Sequence, residues 1–274
     1  MEKTDEYRID LESYFRRIGY TGERHTSLAV LKQLHLAHVD RIPFENLDVL
    51  LGRAILLDLP RLEAKLVHGR RGGYCFEQNM LFAAVLEDLG FSVTRLAARV
   101  RSGTTRLLPR THMLLKVDVR GDAVIADVGF GGDGLLEPIM LEGEPTRQFA
   151  WEYRIAREAD LYVVQSLRDQ KWDDLYAFNL EPQFPVDFQV ANHYVSTHPS
   201  SRFVQTLTVQ RPTSKARYIL RNREFIVQSG PEDNLRSTRI VKDDQELLDV
   251  LDGTFGLEFP RETQFLAALA GRVP

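Results

Sequence analysis

The chain has 274 residues, 35 of them basic and 39 acidic, with a formal net charge of −4 and 43% hydrophobic residues. These values suit a globular protein of two or three packed units and give no electrostatic reason to expect a nucleic-acid partner. The single cysteine, Cys75, excludes an internal disulfide and a cysteine-based zinc site, so a reducing, cytoplasmic compartment is expected.

The first ninety residues are predicted to be helical. Apolar residues at helical spacing indicate helices over 9–18, 28–36, 59–67 and 74–89. Thr26 or Ser27 is placed to cap the second helix. Gly90 is placed to end the fourth, which is apolar nearly all round and should be buried. Residues 1–6 lack the apolar core of a signal peptide, so none is expected.

After Gly90 the pattern changes to that of strands. Strands are predicted over 91–101, 113–119, 123–128, 151–157, 161–167, 203–210, 216–220 and 224–229. A short helix is predicted over 171–177 and a loop over 179–201, and closing helices are predicted over 245–251 and 262–270. This order predicts an α+β fold. Since no run of 18 apolar residues occurs, no membrane-spanning helix is expected.

Cys75 is the first candidate functional residue. It follows Gly72 and Gly73, which permit a tight backbone entry into the predicted helix 74–89. Free N–H groups and the helix dipole in a first turn favour a thiolate over a thiol. A lone cysteine is more often a small buried hydrophobe, so the nucleophile hypothesis requires a base and an orienting acid nearby.

His112 and Asp127 are the predicted base and acid. They lie in two strands joined by Arg120-Gly121. If this is a two-residue hairpin loop, the register places His112 and Asp127 on one face as diagonal neighbours, with Cβ atoms about 6 to 8 Å apart. A loop one residue longer or shorter would put them on opposite faces. The alternative for Asp127 is a carboxylate that caps or bonds a turn.

The other histidines are weaker candidates. Those of the helical region are interpreted as surface or capping residues, and the last two fall in the predicted loop: His25, His35, His38, His68, His193 and His198. The glycine-rich segment 129–134 would allow close approach of a ligand, although its spacing matches neither the Walker nor the Rossmann motif.

These segments resemble the arylamine N-acetyltransferase family. Residues 71–79 are similar to the family's signature around its nucleophilic cysteine. Thr111-His112 and residues 127–131 are similar to its histidine and aspartate segments, and residues 43–47 also match. The resemblance spans almost the whole chain and is looser in the C-terminal third.

The resemblance implies a three-part architecture: a helical bundle over 1–90, a β-barrel over 91–200 and an α/β lid over 201–274. It implies a papain-like catalytic triad of Cys75, His112 and Asp127 in the core. It also implies a ping-pong reaction in which acetyl passes from acetyl-CoA to Cys75 and then to an arylamine, arylhydrazine or N-hydroxyarylamine.

Further site residues are implied by the same resemblance. The aromatic acceptor pocket would be lined by Phe44, Val100, Phe130 and Phe203. Acetyl-CoA, a co-substrate, would contact the loop 102–105 and the stretch 192–203, with the candidates Gly103, Thr104, Gly131, Ser196, Thr197 and Ser201. Glu45 and Arg71 would form an ion pair that steadies the nucleophile loop. No metal and no tightly bound cofactor are expected.

Three alternatives stay open from the residues alone. A cysteine hydrolase or transglutaminase-like enzyme would use the same triad on an amide, and an amide synthase would use it on a bound acyl group. A binding module would need Cys75 only for packing. The expected partners are acetyl-CoA and a small aromatic amine or hydrazine, with no nucleic acid or membrane, and the chain is expected to be a monomer or a weak homo-oligomer.

Overall fold

A computed structural model describes residues 7–104, 106–230 and 235–271. Residues 1–6, for which no signal peptide is predicted, and Thr105 of the loop implied for CoA lie outside the described residues. The fold is α+β, as predicted: helices precede a central antiparallel sheet, and a mixed helical and stranded region closes the chain.

The helices within the described residues are, in chain order, α1 (Leu11–Ile18), α2 (Leu28–Arg41), α3 (Leu47–Leu50), α4 (Leu59–Leu62), α5 (Cys75–Asp88), α6 (Pro185–Thr197), α7 (Arg202–Gln205), α8 (Asp244–Phe255) and α9 (Phe265–Ala270). Several of them begin at a side chain that caps them, among them α1 at Asp10, α2 at Ser27 and α8 at Asp243. A π-helical turn, Glu63–His68, continues α4. Ser27, one of the two predicted caps, accepts a hydrogen bond from the backbone N–H of Val30 and starts α2.

The strands of the described residues form two antiparallel sheets. They are β1 (Phe44–Glu45), β2 (Ser92–Val100), β3 (Arg110–Val119), β4 (Asp122–Ala126), β5 (Ile139–Met140), β6 (Thr146–Gln148), β7 (Trp151–Glu158), β8 (Leu161–Arg168), β9 (Lys171–Phe178), β10 (Thr208–Pro212), β11 (Ala216–Arg221), β12 (Glu224–Ser229) and β13 (Arg236–Ile240). One sheet has the order β5-β4-β3-β2-β9-β8-β7-β6, and the other β1-β10-β11-β12-β13.

The larger sheet curls so that its two edges approach each other. The side chain of Gln148, in edge strand β6, accepts hydrogen bonds from the backbone N–H groups of Leu136 and Glu137, just before edge strand β5. Its amide nitrogen donates to the carbonyl of Glu137 at 2.7 Å. A buried glutamine thus satisfies backbone groups that an open edge would leave unpaired, which gives the sheet its barrel-like form.

Two apolar cores hold these layers together. The larger core is shared by the N-terminal helices and the eight-stranded sheet, and α5 is buried along nearly its whole length between them, as predicted. The smaller core joins β10–β12, α8 and α9 to Leu47 and Leu50 of α3. Strand β1 pairs with β10, so the N-terminal region also contributes to the second sheet. The division at residues 90 and 200 stays a prediction.

Three predicted elements are wrong. Residues 171–177 form strand β9, not a helix: Asp169 and Gln170 both have positive φ and make a tight hairpin turn, so pairing with β8 overrides the local helical pattern. The predicted loop 179–201 contains α6, which has a proline at its first position and an Asp187 carboxylate that accepts the N–H of Phe184. The predicted strand 203–210 begins as the short helix α7.

Strand β13 was not predicted because all five of its residues are exposed and show no alternation of apolar and polar side chains. Within the described ranges, no helix is long and apolar enough to cross a lipid bilayer.

Candidate active site

The turn before Cys75 leaves no room for a Cβ atom, since Pro43 lies against one of its glycines and Glu77 of α5 against the other. A Cβ on Gly72 would lie 2.1 Å from the carbonyl oxygen of Pro43, and a Cβ on Gly73 would lie 2.7 Å from the Glu77 carboxylate. The carbonyl of Gly73 accepts the backbone N–H of Glu45 at 3.0 Å. These contacts fix the direction from which the chain enters α5, whose first residue is Cys75.

A largely buried group of charged side chains packs next to this turn. Arg71 binds Glu45 at 2.6 Å, which confirms the expected ion pair, and also contacts Asp48 at 3.3 Å. Lys65 binds Asp48 at 2.8 Å and Glu77 at 2.7 Å. Burial opposes the charge on Arg71, but the Glu45 and Asp48 carboxylates outweigh it and raise the pKa of Arg71. Because each charge has opposite partners, removing one would leave others buried and unpaired.

The β3–β4 hairpin brings His112 and Asp127 together. Arg120 and Gly121 form a two-residue loop with positive φ at both positions, and Val119 pairs with Asp122, as predicted. His112 Nε2 lies 2.7 Å from Asp127 Oδ2, and both side chains are almost completely buried.

Cys75 and His112 line the same cavity. The Sγ atom of Cys75 lies 3.7 Å from the carbonyl oxygen of Thr111, the residue before His112, and Cys75 is close enough to the imidazole to raise the pKa of His112. Since Nε2 of His112 is bound to Asp127, the remaining ring nitrogen, Nδ1, is the one available to the thiol.

The surroundings of His112 and Asp127 favour the charged form of each side chain. Burial opposes a charge on His112, yet the Asp127 carboxylate and Cys75 raise the pKa of the imidazole to about 10. Burial likewise opposes the charge on Asp127, but His112, Asn79 and the Gly129 N–H lower the pKa of the carboxyl. Asp127 Oδ1 accepts hydrogen bonds from Asn79 Nδ2 at 2.9 Å and from Gly129 N at 3.0 Å. The carboxylate is therefore ionised and held in one orientation.

Two histidines of α2 are buried behind the site, which corrects their interpretation as surface or capping residues. His35 and His38 are both fully buried. Nε2 of His35 accepts the backbone N–H of Asp127 at 3.1 Å, and Nε2 of His38 lies 3.0 Å from Gln78 Oε1. Burial lowers the pKa of His35 to about 4 and that of His38 to about 3. Both rings are therefore neutral near pH 7.

A cavity of 630 Å³ opens over Cys75 and His112. The four residues implied for the acceptor pocket all line it: Phe44, Val100, Phe130 and Phe203. The rings of Phe44 and Phe203 lie 5.7 Å apart, and Phe130 meets the edge of His112 at 5.2 Å. The ring of Tyr176 also packs against His112, with the two ring centroids 4.7 Å apart. Tyr176 lies in β9, the strand that was predicted as a helix, so the sequence pattern did not place it at the site.

The comparisons with known proteins agree with this geometry. A family model described as N-acetyltransferase matches residues 27–264. The arylamine N-acetyltransferase of Mycolicibacterium smegmatis is 42% identical over 96% of this chain and 95% of its own length. The chain belongs to the arylamine N-acetyltransferase family.

Two further relatives of the family extend the likeness. An enzyme of Salmonella typhimurium named arylamine N-acetyltransferase / N-hydroxyarylamine O-acetyltransferase is 43% identical over 73% of this chain and 72% of its own length. The structure of Mycobacterium marinum arylamine N-acetyltransferase in complex with CoA superposes with a TM-score of 0.89 at 33% identity, covering 96% of this chain and 100% of that chain.

The six candidates for CoA contacts are not all brought together. Gly103, Thr104 and Ser201 line the 630 Å³ cavity. Gly131 lies beside it, where a Cβ would come within 2.1 Å of Gln210 Oε1. Ser196 and Thr197 lie within α6, and their hydroxyls donate to backbone carbonyls one turn earlier in that helix, those of Asn192 and His193.

Arginines also line the cavity: Arg168, which is paired with Asp133, Arg202, which falls within the stretch 192–203 predicted to contact CoA, and Arg221, which was not predicted. Partial desolvation and the neighbouring Arg221 guanidinium both lower the pKa of Arg202, which shows that the two positive charges lie near each other. Their positions on α7 and β11 are separated in sequence, so the pairing arises only when the C-terminal region folds against the site.

Proposed function

We propose that the protein transfers an acetyl group from acetyl-CoA to the nitrogen of an arylamine or arylhydrazine, or to an N-hydroxyarylamine, through an acetyl–Cys75 intermediate. The observation that supports this most directly is the chain of contacts from Cys75 through His112 to Asp127 at the floor of an aromatic-lined cavity. In this proposal Cys75, His112 and Asp127 are the catalytic residues.

The first half-reaction begins with the proton of the thiol. His112 takes it, and the imidazolium is stabilised by the Asp127 carboxylate 2.7 Å away. The Cys75 thiolate attacks the thioester carbonyl carbon, and backbone N–H groups at the start of α5 stabilise the oxyanion. The bond between the acetyl carbon and the CoA sulfur then breaks, and the CoA sulfur leaves with the proton that His112 returns.

The second half-reaction reverses these roles with a different nucleophile. An arylamine is a weak base that is largely uncharged near neutral pH, so its nitrogen lone pair is free to attack the acetyl–Cys75 carbonyl. His112 takes the amine proton as the amide forms, and the Cys75 sulfur leaves as a thiolate. Phe44, Phe130 and Phe203 would hold the aromatic ring by edge and face contacts.

The charge at the cavity supports a phosphate-bearing donor. Arg202 and Arg221 present two neighbouring cations to the same space that Cys75 faces. Guanidinium groups match phosphate oxygens in geometry and charge, so we propose that they bind phosphates of acetyl-CoA. Gly103, Thr104 and Ser201 would contact other parts of the same molecule. The reducing compartment that suits a lone thiol is proposed to be the cytoplasm.

Mass spectrometry of the intact protein after mixing with acetyl-CoA tests the intermediate. We expect one acetyl group on the wild type, none on Cys75→Ala, and loss of the group when an arylamine is added. A protein that cleaves amides or peptides without CoA would instead be a hydrolase or a transglutaminase-like enzyme. A protein that takes up no acetyl group at all would refute the proposed acyl-enzyme step.

A further inference from the structure

The position of Asp127 is fixed by a side chain that lies outside the proposed triad. Strand β4 ends at Ala126, which makes the last pair with β3, at Leu115. The backbone N–H of Asp127 therefore lies just beyond the last residue pair between β3 and β4. It donates instead to Nε2 of His35, at 3.1 Å, on a helix 92 residues earlier in the chain.

The second ring nitrogen of His35 shows which tautomer is present. Nδ1 lies 3.0 Å from the carbonyl oxygen of Leu136. Because a carbonyl oxygen only accepts hydrogen bonds, Nδ1 carries the hydrogen and Nε2 is left as the acceptor for Asp127. The neutral ring thus satisfies one N–H and one C=O, and no other protonation state would satisfy both.

The surroundings of His35 leave its ring little freedom. The side chain is fully buried on α2, and the ring of Phe82 meets it edge to face at 5.9 Å. The titratable groups that act on it are the carboxylates of Asp127 and Glu137 and the neutral ring of His38. A rigid helix thereby holds the main chain of Asp127, while Asn79, Gly129 and His112 hold its carboxylate.

We propose that His35 is a positioning residue for the acetyl transfer, which sets the place of the Asp127 carboxylate by accepting the Asp127 backbone N–H. The proposal rests on the function proposed above for Cys75, His112 and Asp127. Without the acceptor, the N–H of Asp127 would be buried and unpaired, so the segment would shift to find a partner. A shift of this kind would weaken the contact that keeps His112 protonated.

Substitution of His35 by phenylalanine or by glutamine separates a positioning role from a packing role. Phenylalanine fills the space but offers neither polar contact. The amide of glutamine can accept from Asp127 with its oxygen and donate to Leu136 with its nitrogen. Glu63→Leu is the matched control, because Glu63 is also buried and accepts a backbone N–H, that of Asp10 at 3.0 Å, in the α1 region of the fold.

Two readouts are measured on the purified full chain. Alkylation by iodoacetamide reports Cys75 alone, since it is the only cysteine, and is followed against pH. Rapid-quench acetylation by acetyl-CoA gives the rate constant and the half-saturating concentration. The alkylation profile needs no acetyl-CoA, so it tests His35 even if the proposed reaction fails.

For His35→Phe we expect the acetylation rate constant to fall about ten- to a hundredfold, as for a catalytic group misplaced by a fraction of an ångström to an ångström, with half-saturation unchanged. The upper transition of the alkylation profile, where His112 with its pKa of about 10 loses its proton, should move to lower pH. His35→Gln should recover the rate to within a few fold.

If His35→Phe folds poorly, His35→Asn replaces it, since asparagine can keep one of the two polar contacts. For His35→Asn we expect the upper transition of the alkylation profile to move to lower pH by a smaller amount. The proposal is overturned if the folded His35 variants match Glu63→Leu in rate and in alkylation profile.

Discussion

Acid should destabilise the protein through two buried histidines before its carboxylates titrate. The pKa of His35 is lowered to about 4 and that of His38 to about 3 by burial, against about 6.5 in an unfolded chain. A group with a depressed folded pKa contributes stability above its unfolded pKa and loses it as the pH falls. Between about pH 7.5 and pH 5, each ring removes roughly 2 kcal/mol from the free energy of unfolding, at about 1.4 kcal/mol per proton and pH unit.

Urea unfolding followed by tryptophan fluorescence at the two pH values measures this effect. The pH-dependent loss should be about 2 kcal/mol smaller in His35→Phe or His38→Phe than in the wild type. His112 acts in the opposite direction, because its raised pKa of about 10 adds stability that is lost as the pH rises. Its contribution is common to the wild type and the variants, so it cancels when the loss in a variant is subtracted from the loss in the wild type. His25→Gln, which removes an exposed ring, is the control.

An equal loss in the wild type and in both phenylalanine variants would refute the reasoning. It would mean that the two rings take up protons as readily in the folded protein as in the unfolded chain. The hydrogen bonds of a neutral His35 to Asp127 and of His38 to Gln78 would then be incorrect.

Three further predictions concern the site. Asp127→Asn keeps the size of the side chain but removes the charge that supports the His112 imidazolium, so steady-state turnover should fall about a thousandfold or more. Gly129→Ala places a Cβ 2.7 Å from Cys75 Cα, so urea unfolding should show a loss of about 1 to 3 kcal/mol, together with slower Cys75 acetylation. Arg202→Ala or Arg221→Ala should raise the KM for acetyl-CoA about fivefold, equivalent to about 1 kcal/mol, with a smaller dependence of that KM on salt and an unchanged KM for the arylamine.

Local signals predicted the elements that carry Cys75, His112 and Asp127. The double glycine and the apolar run indicated the start of α5, and the Arg120-Gly121 loop gave the register of the hairpin. Both signals act within a few residues of the chain, where turn chemistry and periodicity determine the conformation. This is why the relation between His112 and Asp127 could be worked out from the sequence.

Features that depend on contacts between distant segments could not be found in this way. The helical pattern of residues 171–177 gave no indication of strand β9, because its pairing with β8 and β2 decides the conformation. His35 looked like an ordinary polar residue of a helix. Its partners are Asp127 and Leu136, about a hundred residues away, and nothing in its own segment points to them.

The proposed catalytic geometry depends on packing between parts of the chain that are far apart in sequence. Cys75 is placed by the contact of its turn with β1, and Asp127 by α2 and α5 through His35 and Asn79. Each of these polar contacts is buried, so water cannot replace a lost partner. The group that remains is then a buried, unpaired donor or acceptor, which is energetically costly. Substitutions in the helical region, far from the substrate cavity, should therefore reduce acetyl transfer at levels of stability where the fold is still intact.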